Sequence, residues 1–247
     1  MKGVAALLLA LTLKGWYESR LPAQSPAPPS TAIHVTDADE IRIGDVLAGK
    51  FAVNRGIAPT PQGQSIEEYL QRVGERVAAK AQRQLSYRFH YDADPRFNSA
   101  VALPGGHIFV GAGILAYVDS EDQLAIVLGH EIEHIALNHC HERLAQLFKD
   151  GHLNIADAAK LKIEDFFPGY GHDRELAADR EGVKLAMSTG YNGSAGVCLL
   201  QMFVILAQQR PHTSTENEER IQERIVQMQS LVQVQSSPPT ETRLGLR

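Results

Sequence analysis

The sequence is poor in the features that mark a specialised class. It has only two cysteines, Cys140 and Cys198, in 247 residues, which excludes a disulfide framework or a four-cysteine metal knuckle and leaves room for one bridge at most. It has no basic surplus. With 24 Lys and Arg against 29 Asp and Glu, the net charge is −5, so no positive stripe is available to neutralise phosphates, and nucleic acid is excluded as a partner. It also lacks a run of the ~20 apolar residues that a membrane-spanning helix needs. Its longer apolar stretches are Gly3 to Leu13, behind Lys2, and Val197 to Ala207. The first has the layout of an export signal or a short N-terminal anchor, with a buried N-terminal helix as the plainer reading, and no clear cleavage site follows it. The second reads as a core helix. No long repeat is visible, which excludes a solenoid.

What is present is an ordinary globular composition, 44% hydrophobic and 21% charged, long enough to bury a core without staples. The expected organisation is a signal or anchor over 1–20, a Pro/Ser/Ala-rich linker over 21–40, one domain over 41–233 and a frayed tail over 234–247. Within the domain, Ser65 with Glu68 three residues on predicts a capped helix to about Ala81. The alternation in "LSYRFHYDA" predicts a strand, and "NSAVALPGGHIFVGAG" predicts two more strands pivoting on Pro104-Gly105-Gly106. Ser120 with Gln123 opens a helix expected to run to about Lys149, and further helices are expected near 173–189, 194–209 and 216–233. Strands early and helices late make the fold class α+β.

The stretch "LGHEIEHIALNHCHER" carries the chemistry. On a helix His130 and His134 lie one turn apart on one face, close enough to hold a single ion, with Glu131 beside them. The surrounding Leu124, Ile126, Val127, Leu128, Ile132, Ile135 and Leu137 predict an interior helix. Burying unpaired ionisable groups there costs several kcal/mol, and a bound cation removes that cost. Glu133 is expected to point away from the ion, solvated or paired. A catalytic zinc takes three protein ligands and keeps one position open. His139 and His141 do not have the spacing of a third ligand on the same helix and read as structural. "DRELAADREG" is the better source: Glu175 and Asp179, four apart on a second helix, could supply one carboxylate to the ion and one to the free ring N–H of a histidine ligand. Taken alone, the same pair reads equally well as a charged helix surface with Arg174 and Arg180.

"NSAVALPGGHIFVGAGIL", "LGHEIEHIALNH" and "ELAADREG", in this order, resemble the HtpX and CAAX prenyl endopeptidase group of zinc metallopeptidases, and within it the soluble, exported branch. The resemblance spans roughly Gly44 to Met228. It implies a mainly helical, gluzincin-like domain with a small sheet packed on the metal-binding helix. It further implies one zinc per chain on His130, His134 and Glu175, with Asp179 behind the site. The strand Gly105, Gly106, His107, Ile108, Phe109 becomes, by the same resemblance, an edge to which substrate adds in extended form. Departures from the group's pattern put other residues in play. His172 stands where the group has an arginine, His212 is displaced from the group's Thr-His-Pro, and Arg220 matches its arginine near the C-terminus. These three are candidates for transition-state or zinc-capping roles.

The function expected from the residues and the resemblance is zinc-dependent endopeptidase activity on extended or misfolded envelope polypeptides in the periplasm or cell envelope. Glu131 would serve as general base. One alternative is a chaperone or assembly factor with a closed, non-catalytic zinc site. A second is a zinc amidase acting on cell-wall peptide.

Overall fold

A helix starts where a linker is expected. Thr36 accepts from the backbone of Asp39, whose carboxylate accepts from Thr36 in return, and this capping box opens α1 (Asp37–Arg55). The computed structural model describes residues 35–151, 155–166, 170–208 and 215–233. The expected signal segment, most of the expected linker and the expected tail lie outside these. Helix α2 (Pro61–Ala78) also begins earlier than its Ser65-Glu68 signal predicts. Thr60 is the cap and Pro61 fills the first position, where a missing N–H costs nothing. Ser65 sits inside the helix, its hydroxyl donating to the Pro61 carbonyl at 3.1 Å.

Three strands follow: β1 (Arg88–Asp92), β2 (Ala100–Leu103) and β3 (His107–Gly111). The order in the sheet is β1-β3-β2, with β1 parallel and β2 antiparallel to β3. The Pro104–Gly106 turn joins β2 to β3. Gly105 and Gly106 hold it at φ 76° and 99°, conformations that strain any side chain. The expectation of an edge strand at Gly105, Gly106, His107, Ile108 and Phe109 is therefore corrected: β3 is the middle strand, hydrogen-bonded on both sides, and every residue of it is buried. The outer strand on the metal-motif side is β2.

The short α3 (Ala112–Leu115) leads to α4 (Glu121–Ala136), capped by Ser120, which accepts from the Gln123 N–H at 3.2 Å. The single long helix expected to Lys149 does not form. Asn138 takes a left-handed conformation at φ 63°, and the chain restarts at a new angle as α5 (His139–Asp150). Two short 3₁₀ turns, Ile155–Lys160 and Ile163–Asp165, come next. Then come α6 (His172–Ser188), α7 (Ser194–Gln208) and α8 (Thr215–Val232), close to their predicted ranges.

The sheet has a hydrophobic core on each face. Ile108, Val110 and Ala102 pack toward α2 and α4, together with Leu70, Val73, Leu124 and Leu128. Phe109, Val101 and Leu103 pack toward α1 and α5, where Phe51 stacks on Phe109 at 4.1 Å between ring centres. The result is an α+β, mainly helical zincin-like domain. Among the described residues, no helix is long and apolar enough to cross a membrane. Cys140 and Cys198 are both free, one buried and one exposed.

Candidate active site

Two glycines let the motif helices meet. A Cβ on Gly129 of α4 would stand 2.7 Å from the Gly182 carbonyl of α6, and a Cβ on Gly182 would stand 2.7 Å from the His130 nitrogen. Backbone contact this close requires both positions to be bare. It sets the α6 carboxylates opposite the α4 histidines. Nδ1 of His130 lies 2.9 Å from Asp179, while its Nε2 lies 3.0 Å from His134 Nε2 and 3.4 Å from the Glu175 carboxylate. The other oxygen of Glu175 is 3.6 Å from His134 Nε2. A tetrahedral zinc with ordinary bond lengths separates its ligand atoms by roughly 3.4 Å, and the three separations here bracket that value. His130, His134 and Glu175 thus fit one small divalent cation, and they are the one such group among the described residues.

The electrostatics agree with the geometry. Burial opposes a charge on His130, yet its bonds to Asp179 and Glu175 draw it up to about 10. Burial likewise opposes a charge on Glu175, but His130 and His134 hold it well below the usual carboxylate range. A cluster that attracts a proton so strongly attracts a cation for the same reason. Glu131 is buried beside it. Desolvation raises its pKa against the pull of His130 and His134, and a backbone hydrogen bond from Ala102 of β2 reaches its carboxylate. Glu133, expected to be solvated or paired, is buried, and burial followed by Glu181 pushes it up to about 7.

Sequence reasoning did not place three residues found here. Arg224 of α8 grips Asp179 with two hydrogen bonds of 2.5 and 2.9 Å. Against the cost of burial, this arginine and His130 hold Asp179 down at about 2. His139, read as structural, instead places its Nδ1 3.0 Å from Nδ1 of His134. The break at Asn138 turns it back toward the site. Tyr170 lies over the pair, its ring centre 4.4 Å from that of His134 and 5.9 Å from that of His139. Its N–H donates to Glu175 at 3.2 Å, and its hydroxyl donates to the Ala102 carbonyl at 3.1 Å.

The remaining candidates lie elsewhere or beyond the described residues. His172 pairs with Glu223 at 2.8 Å on the exposed side of α6. Arg220 is half-buried one turn before Arg224 on α8. His212 lies outside the described residues. His141 bonds to the fully buried Glu40 of α1, which also accepts from Arg83 and from the Gly105 N–H, so this acid ties α1, α5 and the β2–β3 turn together.

A mainly helical α+β domain with a His-His-Glu group able to hold a cation, at the junction of two helices and a small sheet, defines a zincin-like class of protein. Residues 64–245 match peptidase family M48, and the chain belongs to that family. It is 26% identical over 228 residues to the beta-barrel assembly-enhancing protease of Yersinia pestis, covering 80% of this chain and 46% of that protein. Over 78 residues it is 41% identical to the mitochondrial metalloendopeptidase OMA1 of Schizosaccharomyces pombe, covering 31% of this chain and 23% of that protein. The putative beta-barrel assembly-enhancing protease of Vibrio cholerae is 24% identical over 201 residues, 73% of this chain and 40% of that protein. The chain spans less than half the length of these relatives.

Proposed function

We propose that this chain is a zinc-dependent endopeptidase, with one zinc on His130, His134 and Glu175 and with Glu131 as its general base. The observation that carries the reading is the convergence of three ligand atoms at zinc-like spacing with a buried carboxylate beside them, itself bonded to the edge of a strand at Ala102. A bound zinc supplies Lewis acidity, which acidifies water and polarises a carbonyl. Glu131 takes the proton of the attacking water and passes it to the departing amine. Desolvation raises its pKa, which makes the carboxylate a stronger base. Asp179, fixed by Arg224, accepts the Nδ1–H of His130 and so directs its Nε2 at the ion.

Substrate adds along the outer edge of β2, in competition with the Glu131 and Tyr170 side chains that meet it. The Ala102 N–H and C=O both turn away from β3, and an extended peptide meets backbone groups of this kind. Extended or misfolded envelope polypeptides are the proposed substrates. The names of two of the relatives, which refer to β-barrel assembly, support this, and the Lys2 and Gly3–Leu13 pattern supports export to the periplasm or cell envelope. The buried Glu131 beside the ligand group favours a catalytic site over the closed, non-catalytic alternative, because a structural site has no need of a general base there. His172 is engaged with Glu223.

The test is metal analysis of the purified protein together with peptide cleavage, with and without chelator. One zinc per chain and chelator-sensitive cleavage are expected. Glu131→Gln should keep zinc and fold and lose cleavage, and a fully active Glu131→Gln protein would refute the mechanism.

A further inference from the structure

The two histidines of the cation site have different supports. His130 leans on a carboxylate that an arginine holds in place. His134 leans on another imidazole: its Nδ1 and that of His139 face each other at 3.0 Å, and both rings are buried. Two facing ring nitrogens share one proton, so one must donate and the other accept. If His134 offers Nε2 to the ion, its proton sits on Nδ1, and His139 must present a bare Nδ1 lone pair.

We propose that His139 is a positioning residue which accepts the Nδ1–H of His134 and thereby fixes the tautomer and ring orientation in which His134 binds the metal. This rests on the proposed metal site. Three local features build the contact. The left-handed turn at Asn138 redirects the chain and begins α5 at His139. Tyr170 covers both rings, closing them off from competing partners. Burial makes an unmatched ring nitrogen at either residue costly.

The acceptor is needed at one place on the side chain, and amide replacements read that place. An Asn oxygen lies where Nδ1 of His139 stands, whereas a Gln oxygen lies where Nε2 would be. Zinc affinity, measured by competition with a colorimetric chelator, is compared for wild type, His139→Ala, His139→Gln and His139→Asn. Ala and Gln are expected to weaken binding by about 10–100-fold, the usual effect of removing such a support, while Asn stays within about threefold of wild type. Equal affinity in all four proteins, or an equal loss in all three variants, overturns the proposal and leaves the metal site standing. A wild-type protein that binds no zinc overturns both. Because a variant can misfold, nitrogen-15 NMR of histidine-labelled, zinc-loaded wild type locates the proton without any substitution. The proton of His139 is expected on Nε2, and finding it on Nδ1 overturns the assignment.

Discussion

The sheet has two outer edges, and they are closed by different kinds of groups. Along β1, side chains of α2 stand in for a missing strand. Gln71 accepts from the Phe89 N–H at 3.0 Å and donates to the Tyr87 carbonyl at 2.9 Å, and Glu67, one turn earlier, accepts from the Tyr91 N–H at 2.9 Å. Along β2, the Ala102 N–H meets the Glu131 carboxylate and its carbonyl meets the Tyr170 hydroxyl. An unpaired edge invites another chain to pair with it. At β1 that invitation is withdrawn by groups with no part in the proposed chemistry. At β2 it is held by the residues that the proposed chemistry uses, so this edge is the one a substrate would contest.

The largest expected effect lies on the β2 side. Glu131→Gln can still accept from Ala102 but cannot take a proton, so cleavage should fall by about 10²–10⁴-fold with the melting temperature nearly unchanged. Initial rates on an unfolded protein substrate measure this. On the β1 side, Gln71→Ala leaves the Phe89 N–H and the Tyr87 carbonyl without their partner. Urea unfolding should show a loss of about 1–3 kcal/mol, with kcat/KM per folded molecule unaltered. If that variant also lost activity, the two edges would not be separable.

His90 gives a pH test of the β1 side. It faces His107 across 2.9 Å and stacks on Phe109, and burial, then His107 and Arg88, depress it from 6.5 to about 4. The depressed pKa means that the fold favours the neutral ring. Its contribution is complete above pH 6.5 and is lost as pH falls toward 4, where the unfolded chain takes the proton first. Wild type should therefore lose stability relative to His90→Gln across this window, by up to about 3 kcal/mol, as read by urea unfolding at each pH. The smallest effect is expected from Tyr170→Phe, which keeps the ring over His134 and leaves the Ala102 carbonyl only the long contact from the Cys140 thiol at 3.8 Å. Stability should drop by about 0.5–1.5 kcal/mol and KM should fall, because the competing hydroxyl is gone. An unchanged KM would detach Tyr170 from the substrate edge.

Much of the site could be read before the fold was known, because it depends on spacing within helices. His130 and His134 lie one turn apart, as do Glu175 and Asp179, and three of the four converge on one point. What could not be read depends on chain direction and distance. His139 is five residues past His134, and only the left-handed Asn138 turns it back. Arg224 reaches Asp179 from 45 positions away, and no local pattern distinguishes it from Arg220. The approach at Gly129 and Gly182 was visible only as two small residues beside the motifs. In the fold, α1 escaped notice because its apolar residues do not form one stripe: Leu47 and Phe51 are buried, while Val46 and Val53 are exposed. The substrate edge that the resemblance implied at Gly105 to Phe109 is misplaced because the parallel pairing of β1 with β3, which links segments distant in the chain, moves His107–Gly111 to the centre.

The most direct test of the central claim is an anomalous difference map at the zinc edge from crystals of the purified protein. The account predicts one peak per chain at ~2.0–2.2 Å from the Nε2 atoms of His130 and His134 and from the Glu175 carboxylate, with no fourth protein ligand. A peak elsewhere, or a further side chain closing the fourth position, would contradict it.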